Sequence, residues 1–124
     1  MNALYRTARH NADEVDGSTY SGQGIVYRYP AHTRVEWVDL RQHLARVPRF
    51  GGALDWPVLR HLALCLALAK AQGIARPLLG YIAAHDFAEY ILGDVPKALK
   101  EALPVYRMLE RRWERHIYEE LGLP

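Results

Sequence analysis

A single cysteine, Cys65, stands among 124 residues, so no disulfide can form within one chain and packing alone must hold the fold together. The thiol lies in the run LALCLALA, where apolar neighbours lead us to expect an unreactive side chain packed in the core. No window approaches about eighteen unbroken apolar residues, which argues against a membrane-spanning helix. The polar start, MNALYRTARHNADEVDG, lacks the apolar stretch of a secretory signal. These absences suggest a cytoplasmic protein. Runs of one charge are missing too: sixteen basic and fourteen acidic residues give a net charge of +2 without a basic cluster, so a nucleic acid duplex is not the expected partner.

Half of the residues are hydrophobic, enough for one core in a chain of this length, and one globular domain is expected. Residues 1–33 carry scattered Gly, Ser, Asn and Asp with no sustained helical period, apart from a short extended piece at GIVYRY. They read as an irregular N-terminal arm. From Arg34 the pattern changes: Trp37, Leu40, Leu44 and Val47 recur at helical spacing, with Glu36, Asp39, Arg41 and Gln42 off that stripe, until Pro48. Pro57 opens an almost wholly apolar helix that ends at Gly73. A third helix runs from near Pro77 to Gly93, a short turn follows over PKALKEAL, and Pro104 opens the last helix, closed by Gly122. No strand pattern is strong enough to build a sheet. The expected architecture for residues 34–124 is therefore an all-α bundle of about five helices.

Ionisable residues inside apolar helices are the places to look for chemistry. His85 and Asp86 are adjacent, and Glu89 follows four after the histidine and three after the aspartate, so on a helix all three can reach one site. His61 sits in the apolar run of the second helix and needs a hydrogen bond or a metal there. Imidazole and carboxylate are both ligands for divalent ions, and one such ion would offset the cost of burying Asp86. The plainer reading is a hydrogen-bonded His-Asp couple. Asp94 after Gly93 is equally a natural N-cap, Glu89 a solvated helix residue, Arg49 and Lys97 surface charges, and Phe50 a core anchor. His43 reads as exposed, and His10, His32 and His116 have no partner at ligand spacing. Leu109, Trp113 and Ile117 form a stripe that suits either the core or self-association.

The order His61, then His85-Asp86, resembles the HD superfamily of metal-dependent phosphohydrolases. The segments TYSGQGIVYRYP, VDLRQHLARVPRFGG and AAHDFAEYILGDVPKALKEALPVYRMLERRWERHIYEELGLP are similar to short phage and bacterial HD phosphohydrolases related to 5′-deoxynucleotidases. The resemblance covers residues 19–124, and its HDxxE…GDVP…LK run matches at several independent positions. It implies one divalent ion (Mn, Co, Zn or Mg) held by His61, His85 and Asp86. Glu89 would be general acid or base, Asp94 an orienter of water or sugar, and Arg49, Phe50 and Lys97 substrate contacts. The implied reaction is hydrolysis of a nucleotide or other small phosphate ester. The family's final ligand aspartate lies on a later helix, relative to which this sequence is truncated. Without it the alternatives are a non-catalytic, phage-encoded HD-fold interaction protein with a protein partner, or a homodimer whose second copy completes the shell.

Overall fold

The computed structural model describes residues 15–123. The first part of the expected arm, with His10, lies outside the described residues. The architecture is all-α with one minimal hairpin, β1 (Gly17–Ser18) and β2 (Gly24–Ile25), paired antiparallel with Gly17 opposite Ile25. The helices are α1 (Trp37–Leu44), α2 (Val58–Ala71), α3 (Arg76–Ala84), α4 (Glu89–Leu92), α5 (Lys97–Glu101) and α6 (Pro104–Leu121). Single 3₁₀ turns at Pro30–His32 and Phe50–Gly52 join them. No helix among the described residues is long and apolar enough to cross a membrane.

Glycine ends both long helices by the same device. Gly73 has φ 73°, and the N–H groups of Gly73 and Ile74 donate to the carbonyls of Lys70 and Ala69. Gly122, also at φ 73°, and Leu123 repeat this onto Glu119 and Tyr118. This is the Schellman closure, which needs a left-handed residue that glycine adopts without a Cβ penalty. The first such turn folds α3 back along α2, and that hairpin is what brings His61 opposite His85.

The core gathers Ile25, Leu40, Leu44, Val58, Leu62, Ala88, Tyr90, Trp113 and Ile117. The Leu109–Trp113–Ile117 stripe is therefore the buried face of α6. Trp113 is fully enclosed, and its indole N–H donates to the Tyr27 carbonyl at 3.0 Å, tying the arm to the bundle.

Three expectations about the first half of the fold are corrected. The arm, irregular as expected outside its short hairpin, clamps α1 through a buried carboxylate: Asp39 accepts the Ser21 N–H and the Ser21 hydroxyl, both at 2.7 Å. Asp39, expected off the core stripe, is accordingly fully buried, because these two donors replace water. His43, expected exposed, is half-buried; its Nε2 accepts the Tyr20 N–H at 2.9 Å and its ring meets Tyr90 edge-on. Trp37, expected in the core, is 64% exposed, since α1 begins only there and its first residue projects past the bundle against Phe87. His116 also has a partner, the Thr33 carbonyl at 2.6 Å.

Candidate metal and phosphate site

The third expected helix is broken where the chemistry lies. α3 stops at Ala84, and residues 85–88 form tight turns in which Phe87, Glu89 and Tyr90 each donate to the carbonyl three residues back. Such bonds overwind the backbone relative to an α-helix. His85 and Asp86 thus stand at the end of α3 rather than within a helix, and Glu89 opens α4.

From this turn Asp86 reaches both imidazoles. Its Oδ2 lies 3.1 Å from His85 Nε2 and 3.3 Å from His61 Nε2 across the α2–α3 hairpin, and the two rings meet edge-on, 5.6 Å between centroids. His85 Nδ1 is 2.5 Å from the Ile82 carbonyl, an acceptor, so Nδ1 is the donor in that bond and Nε2 is the nitrogen turned toward Asp86. Burial holds the His61 pKa below its ordinary value, helped by the nearby Arg49 guanidinium and opposed by Asp86. A neutral imidazole is the form that ligates a metal. Imidazole nitrogen and carboxylate oxygen are both donor types that divalent cations take.

Cys65 belongs to the same neighbourhood, contrary to the core-packing expectation. It is only half-buried, one turn after His61, and ligand atoms of His61, Cys65 and His85 lie within 4.8 Å of one another. The signal was present as a His-x-x-x-Cys spacing, but the apolar run around it pointed to the core.

Glu89 is buried rather than solvated. Its pKa is raised to about 8, first by burial, then by the Asp86 and Asp94 carboxylates, and it shares a hydrogen bond with Asp94. The protonated carboxyl is thus the donor to Asp94. Asp94 does not cap α5, whose N-cap is Pro96, two residues later, with no side-chain cap bond.

A linked pH dependence follows for the metal-free protein. Because the folded pKa of Glu89 exceeds its unfolded value of 4.5, its contribution is neutral below pH 4.5 and becomes increasingly destabilising as pH rises toward about 8. The penalty is on the order of 3 kcal/mol at neutral pH. Urea midpoints of chelator-treated protein should fall between about pH 5 and about pH 8, and Glu89→Gln, which cannot ionise, should flatten that slope. Parallel slopes for the two proteins would refute the assignment.

Arg49, Phe50 and Lys97 line one cavity of about 420 Å³ together with Asp94, Lys100 and Arg107. The connector that presents Arg49 and Phe50 is closed at its base by backbone bonds, Arg49 N–H to Trp56 and Val58 N–H to Val47. Phe50 is exposed, not a core anchor, and holds φ at 56°, a conformation uncommon for an aromatic residue. Arg49 lies over its ring at 5.2 Å, with its Nε buried and without a hydrogen-bond partner among the described residues. Arg60, beside His61 in sequence, turns away and stacks over Trp56 at 4.8 Å. Lys100 and Arg107 were not singled out from sequence; Lys100 pairs with Glu110 at 2.6 Å. A larger cavity of about 490 Å³ along α6 contains several arginines but none of the expected site residues.

The chain is similar to the uncharacterized protein YfdR of Escherichia coli (strain K12), at 30% identity over 108 residues, which are 86% of this chain and 58% of that protein. It therefore spans less than two thirds of that relative's length. No protein-family model matches the sequence, and no solved structure matches it significantly.

Proposed function

We propose that this chain is an HD-type, divalent-metal-dependent phosphohydrolase domain acting on a (deoxy)nucleoside phosphate. The observation that carries the reading is the convergence of His61 Nε2, His85 Nε2 and Asp86 Oδ2, with separations of 3.1 and 3.3 Å to the shared carboxylate oxygen. A divalent ion bound there would polarise a phosphoryl oxygen and lower the pKa of a bound water.

The chain's own groups complete the division of labour. Arg49 and Lys97 supply positive charge to the phosphate, with Lys100 and Arg107 around the same cavity. The exposed Phe50 ring offers a face for the base. Glu89, kept protonated by burial and bonded to Asp94, holds a proton suited to the departing sugar oxygen. Asp94 keeps that carboxyl in place and faces the cavity. Purified protein assayed on nucleoside mono- and triphosphates with Mn²⁺, Co²⁺, Zn²⁺ or Mg²⁺ is expected to release phosphate, and to stop on chelation. Silence with every ion, or activity that survives exhaustive chelation, contradicts the reading.

One observation favours the alternative of a non-catalytic interaction protein: Leu64, Leu68 and Leu78 leave an apolar face of the α2–α3 hairpin exposed. That reading predicts binding of a protein partner that is indifferent to His85→Ala.

A further inference from the structure

The proposed function assigns the two imidazoles and Asp86, and leaves one potential ligand beside them without a role. Cys65 follows His61 by four residues on α2, so the two side chains share one helix face. Its Sγ lies 3.6 Å from His61 Nε2 and 3.8 Å from His61 Nδ1. Nearly equidistant from both ring nitrogens, the sulfur packs over the face of the His61 imidazole.

Those distances can be compared with what a metal requires. Zn–N bonds of about 2.0–2.1 Å and a Zn–S bond of about 2.3 Å, set at a tetrahedral angle, place nitrogen and sulfur roughly 3.5 Å apart, and nitrogen and oxygen roughly 3.3 Å apart. The His61 Nε2–Cys65 Sγ distance is 3.6 Å, and the two imidazole–Asp86 distances are 3.1 and 3.3 Å. These lengths match three edges of such a tetrahedron, while Sγ, 3.8 Å from His61 Nδ1, would stand roughly 5 Å from it once sulfur and Nε2 shared an ion. His85 shares the cluster with both His61 and Cys65. A turn of the His61 ring that aims its Nε2 lone pair at the space shared with Cys65 and His85 would let these side chains close on one ion.

We infer that Cys65 is a metal ligand, giving a Cys-His-His-Asp donor set that selects thiophilic ions, Zn²⁺, Co²⁺ or Fe²⁺, over Mg²⁺ and Mn²⁺. The inference rests on the proposed metal site and deepens it. Thiolate is a soft ligand, and with the Asp86 carboxylate it brings two negative charges to a dication. A purely oxygen-seeking ion would gain nothing from the sulfur.

Cobalt titration tests this without relying on activity. Because the chain has one cysteine, a sulfur-to-cobalt charge-transfer band in the near ultraviolet can arise only from Cys65. The wild-type protein should show that band together with visible ligand-field bands. Cys65→Ser, with its fold checked by circular dichroism, should lose the charge-transfer band and at least about 10-fold in Co²⁺ affinity, while Mn²⁺ affinity changes by less than about 3-fold. Ligand-field bands in the wild type that lack a charge-transfer partner and vanish in His85→Ala would overturn the cysteine ligand while leaving the metal site standing. A charge-transfer band that survives His85→Ala would place the sulfur–cobalt contact elsewhere and also overturn it. No cobalt binding by the wild type would defeat both the inference and the metal site beneath it.

Discussion

His85→Ala is expected to remove divalent-metal binding and, with it, hydrolysis. His85 presents one of the two Nε2 atoms beside Asp86, its ring held in that orientation by the Nδ1 bond to the Ile82 carbonyl. Loss of an outer-shell partner costs about 10–100-fold in metal affinity. Loss of a direct ligand should exceed that range. The side chain is substantially exposed and contributes little packing, so the thermal midpoint of the metal-free variant should stay close to wild type. Calorimetric titration with Zn²⁺ and Mn²⁺ separates the two effects. Wild-type affinity in the variant would remove His85 from the site.

Trp113→Ala should be the most destabilising single change outside the site, at about 3–5 kcal/mol. Trp113 is the largest fully buried side chain, and it joins α6 to the arm through the Tyr27 carbonyl. Alanine leaves a large cavity and an unpartnered acceptor together. Trp113→Phe keeps much of the volume but loses the indole donor, and should cost about 1–3 kcal/mol. Urea denaturation followed by circular dichroism measures both. Equal midpoints for the alanine variant and wild type would show that the arm and α6 do not form one cooperative unit.

The helices were legible where local signals are strong. Pro57 and Pro104 open α2 and α6, and Gly73 and Gly122 close them, because φ restriction and left-handed freedom act within a few residues. The break between α3 and α4 was not legible, since AAHDFAEYIL has no glycine or proline to announce it and the i to i−3 bonds over residues 85–88 depend on packing. Asp39 was misread for a related reason. Its partner Ser21 sits eighteen residues upstream in a segment without periodicity, and no local pattern reveals a long-range hydrogen bond.

The same division runs through the site. His61, His85 and Asp86 could be proposed as neighbours because ionisable groups in apolar helices demand partners, and the structure brings each imidazole within 3.3 Å of the Asp86 carboxylate. The cavity residues are different in kind. Arg49 and Phe50 come from a connector whose path is set by the backbone bonds of Arg49 to Trp56 and Val58 to Val47, and Phe50 is held out by a positive φ that no side-chain pattern encodes. Cys65 was hidden by its leucine neighbours, although the α2 face it occupies is only partly covered.

The proposed chemistry needs one cation where two imidazoles and a carboxylate meet, and anomalous scattering from crystals grown with Zn²⁺ or Co²⁺ locates it directly. The predicted result is a single peak about 2.0–2.3 Å from His61 Nε2, His85 Nε2 and Asp86 Oδ2. A saturated crystal with no peak there, or with its ion bound to other side chains, would contradict the account.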